Sequence, residues 1–317
     1  MKTITTIFIL CLSIFSILGF TNFAKSTIPI SKTILGKKLF FEKILSKDST
    51  LNCASCHNPK FAFADTVAFS IGVGGKLGNR NAPSVLNMKN RPYYFYDGRA
   101  ASLEEQALMP IANPLEMNLA VADAVDRLNK NKEYLNLFYK VFKQKPTAQN
   151  LSAALAAYEE TLETVNSKYD DWANDKIKLS PAEERGKTLF TGDKAKCFDC
   201  HFGPDFTGDE FKNIGLFNST FITDSGRYDK TKSIADIGKF KVPGLRNVAV
   251  TAPYMHNGIF KTLEEVLHYY NNPNGIFIHP QNIDPALQKP LGLTKREQTD
   301  IISFLKTLTD KKYKKNA

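Results

Sequence analysis

Apolar residues along this chain recur at helical rather than alternating spacing, and the pattern predicts a mainly α protein. Leu151, Leu155, Tyr158, Leu162 and Val165 share one helical face and predict a long helix with a polar continuation through Trp172 to Lys178. Ile301, Ile302, Leu305 and Leu308 form the apolar face of a last helix. Two capping boxes fix helix starts: Ser180-Pro181-Ala182-Glu183, with proline at the first helical position, and Thr294-Lys295-Arg296-Glu297. Long loops rich in Gly, Asn and Pro, such as 72–81, lie between these segments.

The first 26 residues follow a different pattern. Lys2 precedes an apolar run from Ile7 to Phe20, and Ala24-Lys25-Ser26 offers a small-x-small cleavage site. Residues 1–26 therefore read as an export signal. An uncleaved anchor is the alternative, although the run is short for a membrane span.

Comparing the chain with itself reveals a repeat. Gly36-Lys37-Lys38-Leu39-Phe40 returns as Gly186-Lys187-Thr188-Leu189-Phe190, and Pro83-Ser84-Val85-Leu86-Asn87 as Pro243-Gly244-Leu245-Arg246-Asn247. Asp97-Gly98 before Ser102-Leu103-Glu104-Glu105 returns as Asn257-Gly258 before Thr262-Leu263-Glu264-Glu265. The last two matches share one offset of 160 residues (243 minus 83, 257 minus 97). An internal duplication into two related domains, 27–172 and 173–317, is the economical explanation.

Each half also carries Cys-x-x-Cys-His, at Cys53, Cys56, His57 and at Cys197, Cys200, His201. This is the attachment pattern of c-type haem: two thiols add to the porphyrin vinyl groups, and the adjacent imidazole binds the iron. Zinc and dithiol redox chemistry also use Cys-x-x-Cys. Neither accounts for a histidine after both pairs, 144 residues apart (197 minus 53). Of five cysteines, Cys11 lies in the export signal and the other four belong to the two motifs, so no disulfide framework is expected. Two covalently bound haem c groups and a periplasmic location follow together, because bacteria attach haem c outside the cytoplasmic membrane.

Composition adds little beyond a folded, basic protein. The 43% apolar and 23% charged content is that of a globular chain. The net charge of +10 becomes +8 without Lys2 and Lys25. Such a surface can steer an acidic electron donor or an anionic membrane face, or serve solubility alone. The terminal Lys311, Lys312, Lys314 and Lys315 read as a solvated tail. No nucleic-acid-binding module is present in the sequence.

Several ordered segments sharpen the picture: Asn81-Ala82-Pro83, Asp97-Gly98-Arg99, Leu103-Glu104-Glu105-Gln106, Asn113-Pro114-Leu115-Glu116-Met117, Val242-Pro243-Gly244-Leu245-Arg246-Asn247 and Thr251-Ala252-Pro253-Tyr254-Met255-His256-Asn257-Gly258. Together with the haem motifs they resemble the bacterial di-haem cytochrome c peroxidases, a family that includes MauG, over nearly the whole mature chain. The resemblance implies two cytochrome c-like domains. The first haem would react with hydrogen peroxide and the second would pass electrons to it from a small donor protein, a cytochrome c or a cupredoxin. It places the distal catalytic pair at Gln106 and Glu116. A carboxylate suits this chemistry because peroxide must lose a proton from one oxygen and gain one on the other. A calcium ion held by the Asn81 side chain and the Thr251 and Pro253 carbonyls is implied too, as is a possible homodimer.

Three departures carry consequences. In family members that need reductive activation, a loop histidine closes the first haem. Here the loop reads Ser70-Ile71-Gly72-Val73-Gly74 and the matching position is Val73. The first haem is therefore expected to be open in the oxidised protein, as in MauG. The position of the family's methionine ligand on the second haem is Tyr270, as in MauG-like members. Met255, His268, Tyr269 and His279 compete as ligands. Subtracting the 160-residue offset from Tyr270 gives Pro110, which cannot ligate. Finally Tyr96 stands where the family often has an electron-relaying tryptophan; Trp172, the one tryptophan, reads as a packing residue. The resulting expectation is a periplasmic peroxidase. The alternatives are MauG-like oxidation of a protein substrate through a high-valent di-haem state, or a non-catalytic electron carrier.

Overall fold

The computed structural model describes residues 30–218, 220–276 and 282–316. The export-signal expectation, Cys11 and the candidate ligand His279 lie outside them. Helices run in the order α1 (Lys32–Phe40), α2 (Cys53–Cys56), α3 (Leu103–Ala112), α4 (Val121–Lys130), α5 (Lys132–Phe142), α6 (Ala148–Glu159), α7 (Lys168–Ala173), α8 (Pro181–Thr191), α9 (Tyr228–Thr231), α10 (Leu263–Asn271), α11 (Pro273–Ile276) and α12 (Lys295–Thr307). The sheet among the described residues is a two-residue antiparallel pair, β1 (Phe211–Lys212) with β2 (Phe240–Lys241). No helix among them is long and apolar enough to cross a membrane.

Both predicted capping boxes form, Ser180 with Glu183 and Thr294 with Glu297. The helix expected through Val165 is shorter. It stops at Glu159, Glu160 and Thr161 form a turn, Leu162 lies beyond it, and Val165 is 67% exposed. Apolar periodicity cannot see that stop, because Thr161 and Leu162 turn the chain by capping Tyr158 and Glu159 carbonyls. Nor is the C-terminus simply solvated: Tyr313 is buried in the first core and Lys311 pairs with Asp171 at 2.6 Å.

Two cores follow. One gathers Leu35, Leu39, Phe40, Leu151, Leu155 and Tyr158; the other gathers Phe190, Phe206, Ile301, Phe304 and Leu305. α1 crosses α6 in the first, and α8 crosses α12 in the second. Each crossing is closed on a glycine. A Cβ on Gly36 would lie 1.8 Å from the Ala154 carbonyl oxygen, and one on Gly186 would lie 1.9 Å from that of Asp300. Gly36→Ala or Gly186→Ala must therefore push a helix pair apart, and each is expected to cost about 1–3 kcal/mol as overpacking. Urea unfolding of the haem-loaded variants measures this; an unchanged midpoint would mean the crossings are looser than drawn.

Other features repeat at the 160-residue offset. Ser102 caps α3 and Thr262 caps α10, each accepting from the N–H three residues on. Tyr94 bridges Ala100 as Tyr254 bridges Phe260. The Tyr94 hydroxyl donates to the Met88 carbonyl and the Tyr254 hydroxyl to that of Val248. Asn87 and Asn247 both adopt positive φ and both hydrogen-bond Thr164. α7 precedes the second core in sequence, yet its Tyr169 packs edge-on against Phe206 and Phe304.

Candidate haem sites

Each Cys-x-x-Cys-His segment opens onto a cavity. The first cavity is lined by Cys53, Cys56, His57, Gln106, Pro110 and Glu116; the second by Cys197, Cys200, His201, Tyr96, Met255 and Tyr270. They differ in size, about 60 Å³ against about 310 Å³, but the donor chemistry is the same. His57 Nδ1 lies 3.2 Å from the Phe63 carbonyl oxygen and 3.0 Å from that of Pro83. His201 Nδ1 lies 3.0 Å from the Phe206 carbonyl oxygen. A carbonyl only accepts, so Nδ1 carries the proton and donates, and each Nε2 keeps its lone pair for iron. Burial holds both imidazoles neutral, His201 down to about 4.

Burial pushes all four thiols up, Cys197 to about 12 and Cys200 to about 11. Among the described residues no three His, Cys, Asp or Glu side chains converge to hold a bare metal ion. The zinc alternative thus has no geometry behind it. Two thiols flanking a cavity and one imidazole with a free Nε2 fit covalent haem.

α3 and the loop after it build the first cavity's far wall. Gln106 and Pro110 come from α3, and Glu116 from the turn beyond. The Asn113 side-chain N–H donates to Glu116 Oε1 at 2.6 Å. Burial raises the Glu116 pKa, opposed by that hydrogen bond and by Arg99. Val73 is buried and its N–H donates to the Glu116 carbonyl at 2.8 Å, so the loop without histidine is fastened to the carboxylate's own backbone. Gly72 makes the approach possible, since a Cβ there would lie 2.0 Å from the Leu115 carbonyl oxygen.

In the second cavity α10 places Tyr270 on the wall, where burial raises its pKa. Met255 shares that wall. The other two described competitors do not: His268 is exposed, and Tyr269 is fully buried with its hydroxyl donating to the Ile214 carbonyl at 2.6 Å. Tyr96 lines the cavity too and is likewise raised by burial. Asn81, Thr251 and Pro253 line the same cavity; the Asn81 amide donates to the Val67 carbonyl at 3.0 Å. With the amide end so used, the Asn81 side-chain oxygen is left as an acceptor, and neutral oxygens of this kind suit calcium.

Sequence reasoning missed three groups. Glu159 lines the first cavity, and its helical spacing from Leu151 and Leu155 marks it as a member of their apolar face. Arg91 and Arg246 line the second cavity while pairing with Asp205, and Arg246 also reaches Asp170. His256 is 3% exposed, stacks on Phe240 at 3.8 Å, and its Nε2 has no hydrogen-bond partner among the described residues.

Residues 31–178 match the family model of di-haem cytochrome c peroxidase. A cytochrome c551 peroxidase of Nitrosomonas europaea is 38% identical over 279 residues, covering 87% of this chain and 79% of that protein. The chain belongs to the di-haem cytochrome c peroxidase family. Covalently bound haem and oxidoreductase chemistry come with that membership. The methylamine utilization protein MauG of Methylorubrum extorquens is 37% identical, covering 87% of this chain and 78% of that protein. Among solved structures, a MauG-like protein associated with microbial copper homeostasis superposes with a TM-score of 0.80 at 32% identity, covering 88% of this chain and 89% of that one. The di-haem peroxidase BthA of Burkholderia thailandensis gives 0.79 at 27% identity, covering 89% and 86%.

Proposed function

We propose that this chain is a periplasmic di-haem peroxidase that reduces hydrogen peroxide to two waters at the N-terminal haem, consuming two electrons and two protons. The electrons arrive from a cytochrome c or cupredoxin through the C-terminal haem. The observation that carries the reading is that Glu116 and Gln106 line the cavity of His57, while the loop that adds Ser70 and Gly72 to the lining carries no histidine. When bound, haem supplies an iron that accepts a peroxide oxygen and delivers the electrons that break the O–O bond.

This chain's residues do the rest. Glu116 takes the proton from the near oxygen and returns it to the far one, held in place by Asn113. Gln106 holds peroxide or water through its amide. Tyr96 would relay electrons between the cavities, and Tyr270 would offer its phenol oxygen to the iron of a haem held by Cys197, Cys200 and His201. The Asn81 side-chain oxygen and the Thr251 and Pro253 carbonyls would offer neutral oxygens to a calcium ion. The repeated crossings and turns support two domains, 27–172 and 173–317, derived by duplication, and a homodimer is compatible with this arrangement.

Tyr270 and Val73 favour a second reading, MauG-like oxidation of a protein partner's side chain, because phenolate ligation favours higher oxidation states than methionine does. A plain electron carrier would have no use for the acid–base pair. Stopped-flow mixing of the oxidised protein with one equivalent of peroxide, without reductant, decides among them. We expect a fast spectral change at both haems, confined to the N-terminal haem in Tyr270→Phe. Reaction only after half-reduction would overturn the open-site reading.

A further inference from the structure

Glu159 ends α6 with a carboxylate that faces the first cavity beside Cys53, Phe40 and Leu155. The residue is 5% exposed. Among the described residues no hydrogen bond or ion pair reaches the carboxylate, and burial alone sets its pKa, at about 8. An ionised carboxylate left so is costly, whereas a protonated one is cheap. The peroxide chemistry assigned to Glu116 makes no use of it.

The groups facing it are few. α2 offers Cys53, Cys56 and, at its end, His57; the thiols cease to titrate once joined to haem. α1 presents Phe40, and α3 presents Gln106, Ala107 and Pro110, none of them charged. The loop after α3 adds Glu116, and Tyr158 precedes Glu159 on its own helix. Among the described residues no cation offsets a negative charge on Glu159. The group that changes charge beside it is the haem, which loses one positive charge on one-electron reduction.

We infer that Glu159 is the proton-coupled partner of the N-terminal haem, its carboxylate taking up one proton from solvent when that haem gains one electron and releasing it on reoxidation. The pocket's net charge then stays constant through each electron transfer. The inference rests on the haem site proposed above but not on peroxide turnover.

The test is an optical redox titration of the full di-haem protein across the neutral pH range, without peroxide. The N-terminal haem is expected to become harder to reduce as pH rises, approaching tenfold in its reduction equilibrium per pH unit, about 59 mV for one electron. Glu159→Gln should flatten this dependence. Glu159→Asp should keep it, as should Glu116→Gln. A flat wild type, or an unchanged slope in Glu159→Gln, would overturn the inference and hand any coupling to Glu116 or the haem propionates. A slope that persists in an enzyme unable to turn over peroxide would instead sink the peroxidase reading and leave this one standing.

Discussion

Glu116→Gln is expected to lower peroxide turnover by about 10²–10⁴-fold, the usual contribution of a positioned acid–base group, while both haems remain attached. Glutamine keeps the shape and can still accept from Asn113, but it cannot take a proton from one peroxide oxygen and return it to the other. The pH profile carries a separate signature. Burial raises the Glu116 pKa, and the base is active only when ionised. Activity should therefore fall as pH drops through that raised value. The residual activity of the glutamine variant should lack this acid limb. Steady-state kinetics with the haem content checked optically would measure both. Wild-type turnover in Glu116→Gln would remove the residue from the mechanism.

The paired Cys-x-x-Cys-His motifs and the mainly helical plan were legible because they are local in sequence. Cys-x-x-Cys-His occupies five consecutive positions, and a capping box such as Ser180 to Glu183 spans four. What the chain conceals is set by distant packing. Glu159 shares the helical face of Leu151 and Leu155, but spacing does not reveal that this face, beyond the tight α1–α6 crossing at Gly36, borders a cavity. Spacing alone does not separate Tyr269 from Tyr270; the family resemblance picks Tyr270, and α10 turns Tyr269 toward Ile214 and Tyr270 toward the cavity of His201. Val165 fits the apolar spacing but follows a turn that side-chain periodicity does not encode. Tyr313, amid lysines, is held in the first core by residues far away in sequence.

Arg80→Met is expected to destabilise the folded protein by about 3–5 kcal/mol, the cost of removing one partner from a buried charge pair. The Arg80 side chain is 14% exposed and donates to Asp97 at 2.6 Å and to both carboxylate oxygens of Asp224, at 2.6 and 2.8 Å. It thereby ties the loop beside Asn81 to the segment before α9, and its guanidinium lies 5.7 Å from the Phe240 ring on which His256 stacks. Asp97 would keep Arg99, at 3.0 Å, but Asp224 would keep only its own turn, accepting from the Gly226 N–H. Arg80→Lys should rescue little, because an ammonium cannot match the two-pronged contact to Asp224. Arg80 also holds the Asp224 pKa below its ordinary value despite burial. A depressed folded pKa contributes stability that is fully present above the unfolded value and is lost as pH falls through the folded one. Wild-type stability should therefore decline on acidification through and below the ordinary carboxylate range, and Arg80→Met should lose less over the same interval. Urea unfolding of the haem-loaded proteins at several pH values measures both effects. Equal stability of variant and wild type would mean that the Arg80 cluster is solvated and that apolar contacts alone join these segments.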